Sequence, residues 1–379
     1  MIFLRTYSKG FLLAGVSLFL VSCGGCSLFF MEEERPDRIR LLSYNVQNLF
    51  DDVKDGTEYE EFVPGEGEWS EELYHLKMLQ LSEVINRTPP GGADIVLLQE
   101  VENQNALDAL NTHYLKGAGY RYSLISDGEG TAVNSAVLSR FPFTGAQVHS
   151  VSLEGSTGGR PVLEVRVETG DLDFVLLNCH WKSKSGGAEK TEDFRRAAAA
   201  VISRRLYQLR ATEPMLPVVV GGDLNENFDE WDRIEGAYPT ALRLFHGAVD
   251  ESLYNMTGGT GSFLYLAASF EDLWSLRDIE MAFRSSGDPI GGFPLFSPWI
   301  GWEGFPGSYH YGGQWETIDH FLLNSAFGDA MGLEYEGFEV LHTDMILDEE
   351  GFPYRWSPLT AEGYSDHLPL LLTLTVRER

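Results

Sequence analysis

The sequence predicts one α/β domain with a two-layered sheet core and helices outside it. Three observations carry this expectation. Apolar runs of strand length recur at residues 38–46, 94–99, 172–178 and 217–220, each stopped by turn residues. Two segments with helical apolar spacing, residues 71–86 and 189–210, alternate with these strands in the first part of the chain. No internal repeat and no linker divides the sequence, and 379 residues suffice for one large domain.

Residues 1–30 fall outside the fold reasoning. Arg5 and Lys9 form a short positive region, and residues 11–21 form an apolar run too short for a comfortable membrane span. The following Leu20-Val21-Ser22-Cys23 resembles the lipobox of bacterial lipoproteins. The expectation is a signal peptide over residues 1–22, lipidation of Cys23, an acidic tether over residues 23–37 and a domain over residues 38–379. An acyl anchor would then hold the domain at the bacterial cell envelope, on the outer membrane or cell surface. Cleavage at an ordinary secretory site, or at Cys26, is the alternative. The third cysteine, Cys179, lies in an apolar strand and reads as a small buried hydrophobe, so no disulfide framework is expected.

The first strand, residues 38–46, brings Asn45 to its end. An acidic, Gly-rich loop (residues 51–70) leads to the helix at 71–86, which the Pro and Gly residues of 88–92 stop. Strand 94–99 delivers Glu100, a carboxylate that needs solvent, a partner or a metal so close to a buried strand. A helix is expected over 103–115 and a strand over 134–140. Residues 160–167 and 172–178 read as a hairpin whose second arm delivers His180. The helix at 189–210 presents Phe194, Ala198, Val201 and Ile202 on one face. Residues 228–330 look less regular, with a helix near 272–279 and a Gly/Pro/aromatic loop over 285–313. Strands close the chain at 318–323, 338–341 and 368–376.

The segment PVVVGGDLNEN, residues 217–227, organises the rest. Val218, Val219 and Val220 form a buried strand, Gly221 and Gly222 turn the backbone, and Asp223 and Asn225 follow. A carboxylate and an amide two residues apart can serve one hard cation or one phosphate. An Asx turn after a core strand is the plainer reading. Yet Asn45, Glu100, His180, Asp319, Asp366 and His367 also stand at strand ends or beside them.

Together, SYNVQNLF, IVLLQEVEN, SAVLSRFPF, LLNCHWKSKSGG, VVVGGDLNEN, ETIDHFLL and GYSDHLPLLLTL resemble, in order, the metal-dependent endonuclease/exonuclease/phosphatase (DNase I-like) superfamily. The resemblance implies a four-layered α/β/β/α sandwich of two facing, mostly antiparallel sheets with outer helices. It implies Asn45, Glu100 and Asp366 as metal positions, with Glu100 the principal ligand. It implies His180, Asp223, Asn225, Asp319 and His367 as catalytic. Among these, His180 and Asn225 would hold phosphate, Asp223 or His367 would activate water, and Asp319 would partner His367. Mg²⁺ is the implied cofactor, Mn²⁺ its alternative, and Ca²⁺ a candidate structural ion.

A formal net charge of -29 disfavours broad non-specific nucleic-acid binding. Local cations therefore matter, and Arg160, Lys182, Lys184 and Arg195, with Arg196 as the alternative to Arg195, are the candidate substrate contacts. Lys182 and Lys184 lie in HWKSK, which resembles a segment of secreted bacterial nucleases in this superfamily. Trp181, Trp302 and Trp315 are candidates for base stacking, with core or rim packing as the alternative for each. The favoured reading is a monomeric, surface-anchored nuclease acting on nucleic acid as substrate. A phosphatase or lipid phosphodiesterase is the second reading, although VVVGGDLN lacks the FWxGDxN form of inositol 5-phosphatases. An inactive surface-binding protein is the third. The residues leave DNA against RNA, and endo against exo action, open.

Overall fold

A computed structural model describes residues 36–377, except 67, 128–130, 154–158, 171, 246–262 and 275–291. The expected leader, the lipidation site Cys23 and most of the tether lie outside these residues. No helix among the described residues is long and apolar enough to cross a membrane.

Two mixed, mostly antiparallel sheets form the core. The six-stranded sheet runs in the order Leu333–Val340, Leu370–Val376, Arg38–Leu49, Ile95–Val101, Asn134–Ser139, Tyr122–Ile125. The eight-stranded sheet runs Phe143–His149, Val162–Thr169, Leu172–His180, Val218–Asp223, Asp319–Leu323, Gly292–Phe296, Phe263–Ala267, Leu242–Leu244. A small hairpin, Tyr309–Tyr311 with Gln314–Glu316, stands beside them.

Side-chain alternation explains the layering. Phe174, Leu176 and Val219 point into the core shared with the six-stranded sheet. Their neighbours Val175, Leu177, Val218 and Val220 point the other way, onto Ala198, Ala199, Ile202 and Leu206 of the helix Ala188–Thr212. These strands are buried on both faces, so they read as unbroken apolar runs rather than alternating ones. On the far side, Met78, Leu81, Val84 and Ile85 of the helix Glu71–Arg87 cover the six-stranded sheet. Ser70 caps that helix by accepting from the Leu73 N–H, with Glu71 and Glu72 in its first turn and Arg87 in its last. Helix, sheet, sheet and helix give the expected four layers.

Several local expectations need correction. Residues 285–313 are not one loop, because Gly292–Phe296 and Tyr309–Tyr311 are strands. Pro294 disguises the first of these. It is tolerated because antiparallel pairing to the neighbouring strand is confined to Phe296 and Leu323. The strands Leu242–Leu244 and Phe263–Ala267 also extend the sheet into a region expected to be irregular. The helix expected over 103–115 runs as an α-helix over Gln104–Ala109 and widens into a π-helical turn at Leu110–Tyr114. Residues 270–274 are helical, while 275–279 of that expected helix lie outside the described residues.

Candidate active site

The strands of the two sheets end together at one rim, and register sets what meets there. In the eight-stranded sheet His180 is paired with Asp223, and Asp223 with Asp319, across three adjacent strands. In the six-stranded sheet Asn45 is paired with Gln99, and the pairing shifts just beyond it. That bulge carries Gln47 at φ 51° and Asn48 at φ 58°, opposite Glu100 at φ 66°. Three left-handed residues on two neighbouring strands mark a place where the backbone is held in a costly conformation to aim side chains. Asn225 adds a fourth at φ 51°.

Hydrogen bonds hold these groups. Asn45 Nδ2 donates to Asp223 Oδ2 at 3.0 Å and to Glu100 Oε1 at 3.3 Å, joining the sheets. Glu100 Oε2 accepts from the Asn48 N–H at 2.9 Å. Asp223 Oδ1 accepts from the Asn225 N–H at 2.8 Å, so the Asx turn is real and also presents the site. Asn225 Nδ2 donates to the Trp181 carbonyl at 3.1 Å. Gly222 is required: its φ is 121°, and a Cβ there would fall 2.1 Å from the Cys179 carbonyl oxygen.

The His367 Nδ1–H donates to Asp319 Oδ2 at 2.7 Å, and both residues are buried. Burial disfavours the imidazolium, but Asp319, with Asp223 and Asp366 nearby, outweighs it and raises His367 to about 10. Burial and Asp319 push Asp223 upward. His180 is driven well below its usual value by burial, with Arg160 the next cause. Its Nε2 accepts from Arg160, and lies 3.5 Å from Glu100 Oε1 and 3.6 Å from Asp223 Oδ2. Arg160 also donates to the Trp181 carbonyl at 2.9 Å.

Asn45, Glu100, His180, Asp223, Asn225, Asp319, His367 and Arg160 are thus brought into one connected site. Asp366 is half-buried beside His367, and its charge acts on that imidazole. Lys182 is half-buried at the rim, where its charge acts on His180. Lys184 is drawn off by Glu230 at 2.7 Å and Glu316 at 3.4 Å. Arg195 is a correction. It is 0% exposed and bound to Glu192, Glu226, Thr191 and the carbonyls of Lys182 and Ala188, so it braces the protein and cannot reach substrate. Trp181 is corrected likewise: at 1% exposure it packs under the helix and cannot stack on a base. Trp302 and Trp315 pack against the main core.

Ser308 escaped the sequence reading. Its hydroxyl donates to Asp319 Oδ2 at 2.6 Å, and its carbonyl accepts from the Leu368 N–H. It therefore supports both members of the Asp319–His367 pair. Tyr309, next to it, packs on the His367 ring at 4.6 Å. A lone Ser within a Gly/Pro/aromatic stretch carries no sequence signal for such a role.

Asp223, Asp319 and His367 offer ligand atoms within 4.8 Å of one another, a buried set able to hold a divalent cation. A two-sheet sandwich whose rim gathers acidic, amide and imidazole groups in this way defines a metal-dependent phosphodiester hydrolase. The sequence profile described as Endonuclease/Exonuclease/phosphatase family matches residues 40–240, more than half of the chain. The chain belongs to that family. No curated protein sequence matches it. Among solved structures, TDP2 from Caenorhabditis elegans is similar at 14% identity and a TM-score of 0.51, covering 89% of this chain and 74% of that one. An endonuclease/exonuclease/phosphatase family protein from Bacteroides thetaiotaomicron is similar at 15% identity and 0.50, covering 91% and 100%. Likeness at such identities speaks for the fold.

Proposed function

We propose that this protein is a surface-anchored bacterial nuclease, most directly a DNase, using Mg²⁺ and held at the envelope by acylated Cys23. The observation that carries the substrate reading is local. Arg160 and Lys182 supply positive charge beside His180 at the rim of an otherwise acidic protein.

Glu100, with Asn45 and Asp366, would hold the metal. Glu100 fits this role because its strained backbone and its bond from Asn48 fix the carboxylate at the rim. His367 and Asp319 are engaged with each other, which leaves them for proton and charge work. The cation supplies neutralisation of phosphate charge when bound. Asn225 would donate to a phosphate oxygen without adding charge, through the amide N–H not spent on the Trp181 carbonyl, while Asn45, whose Nδ2 donates to Asp223 and Glu100, orients those two carboxylates. Asp223, raised to about 7, is in its carboxylate form a base matched to neutral pH and would take the proton of the attacking water. His367, kept cationic, would donate from Nε2 to a non-bridging oxygen of the crowded phosphate. Arg160, held by neutral His180, contacts a non-bridging oxygen.

The test incubates the purified protein with plasmid DNA, RNA, a generic phosphodiester and a phosphomonoester panel, in Mg²⁺ and then in EDTA. Metal-dependent plasmid nicking that is lost in Asp223→Ala is expected. Turnover of only an inositol phosphate or choline lipid supports the second reading, a phosphatase or lipid phosphodiesterase, which a net charge of -29 favours by repelling long nucleic-acid chains.

A further inference from the structure

A second acidic cluster lies apart from the catalytic residues, in the loop that follows the first strand. Asp55, Glu58 and Glu102 place ligand oxygens within 4.8 Å of one another. An exposed acidic patch needs no ion, because water solvates it. Glu102 is different. It is 2% exposed, its Oε2 accepts from the Asp51 N–H at 2.7 Å, and its Oε1 is buried with no hydrogen-bond partner. An unpartnered buried carboxylate oxygen beside two further carboxylates is costly unless a proton or a cation neutralises it. Lys54, the basic residue of this loop, is committed to Glu66 at 2.6 Å.

We propose that Asp55, Glu58 and Glu102 form a second cation site, of the Ca²⁺ class, that fastens the loop to the six-stranded sheet. The size of the gap suits this ion. Ca²⁺ sits about 2.3–2.6 Å from each oxygen, so oxygens of one coordination sphere lie up to about 5 Å apart. All the donors are hard carboxylate oxygens, with neither sulfur nor imidazole among them. The loop is shaped in advance. Glu58 accepts from the Asp55 and Gly56 N–H groups at 2.5 and 2.8 Å, which wraps residues 55–58 into a tight turn. Gly56 sits at φ 93° with open space around it, so it serves the turn and not a contact. Asp55 Oδ1 accepts from the Thr57 N–H and hydroxyl, which fixes its carboxylate. The site is distinct from the catalytic one but close in sequence to it, since Glu102 follows Glu100 by two residues.

A reporter stands beside it. Trp69 Nε1 donates to the Asp51 carbonyl at 2.8 Å, which places an indole next to the loop as a sensitiser for Tb³⁺ emission. The experiment uses the purified full chain after EDTA treatment and dialysis. It follows Tm against added Ca²⁺, and Tb³⁺ emission excited through tryptophan. Wild type, Asp55→Asn, Glu102→Gln and the catalytic-site variant Glu100→Gln are compared. Wild type and Glu100→Gln should gain roughly 4 °C at Ca²⁺ well above the Kd, and should show Tb³⁺ emission that Ca²⁺ competes away. Asp55→Asn and Glu102→Gln should lose both responses. No Ca²⁺ response in wild type overturns the proposal. So does a response kept in Asp55→Asn and lost in Glu100→Gln, which would place the only cation at the catalytic residues. Asp55 is exposed, so Asp55→Asn decides the matter even if Glu102→Gln fails to fold.

Discussion

Gln99 and Asn178 clasp the two sheets together directly beneath the active site. Gln99 Nε2 donates to Asn178 Oδ1 at 2.8 Å, and Asn178 Nδ2 donates to the carbonyls of Leu98 and Ala136 at 3.1 and 2.8 Å. Both residues are fully buried, and they lie one residue before Glu100 and two before His180. Asn178→Leu leaves buried polar groups of the opposite sheet unpaired and should cost about 3 kcal/mol in urea denaturation. Activity should fall further than the folded fraction does. An Asn178→Leu protein with wild-type stability would show that the clasp holds nothing.

Asp319→Asn tests the imidazole at the rim. Asp319 is what keeps His367 charged against its burial, so the variant's imidazole loses its proton at a lower pH. The fall in kcat/KM should be roughly 10²–10⁴-fold at neutral pH. The basic limb of the pH–rate profile should also move to lower pH. An unshifted limb would remove His367 from the protonated species that acts.

Stability in acid should depend on Glu164. Burial alone would raise this carboxyl, but His149 and Arg205 override it and hold it at about 2, below the ordinary 4.5. Between those two values the unfolded chain binds more protons than the folded one. The contribution is complete above about 4.5 and is lost as pH falls toward 2. Glu164→Gln should therefore flatten the dependence of unfolding free energy on pH across that window, as read by denaturant titrations at several pH values.

Lys182 and Arg195 should separate cleanly. Lys182→Ala removes charge at the rim and should raise KM for a nucleic-acid substrate several-fold with little change in Tm. Arg195→Met strands Glu192 and Glu226 without their buried partner, so it should cost about 3–5 kcal/mol of stability. The folded fraction of Arg195→Met should keep its KM.

This contrast shows what the sequence made legible. Strand ends were visible because buried strands are apolar and stop at polar residues, and that placed Asn45, Glu100, His180, Asp223 and Asp319. The burial of Arg195 is not legible in the sequence, because a basic residue on a helix looks the same whether it faces solvent or a buried carboxylate. Only the fold brings Glu226 to it. The strand Gly292–Phe296 was hidden by its proline, and Ser308 by having no pattern at all. The left-handed backbone of Glu100 had no signal either, since glutamate is not a residue that announces such a conformation.

The first and last strands of the described domain lie side by side, with Arg38 opposite Thr375. Seven residues separate Arg38 from Asn45, about 23 Å of extended chain. Whatever precedes the domain therefore departs from one pole, and the reactive rim occupies the other. A domain fastened to a surface by that end would hold its rim outward, facing whatever arrives from solution rather than the surface that carries it.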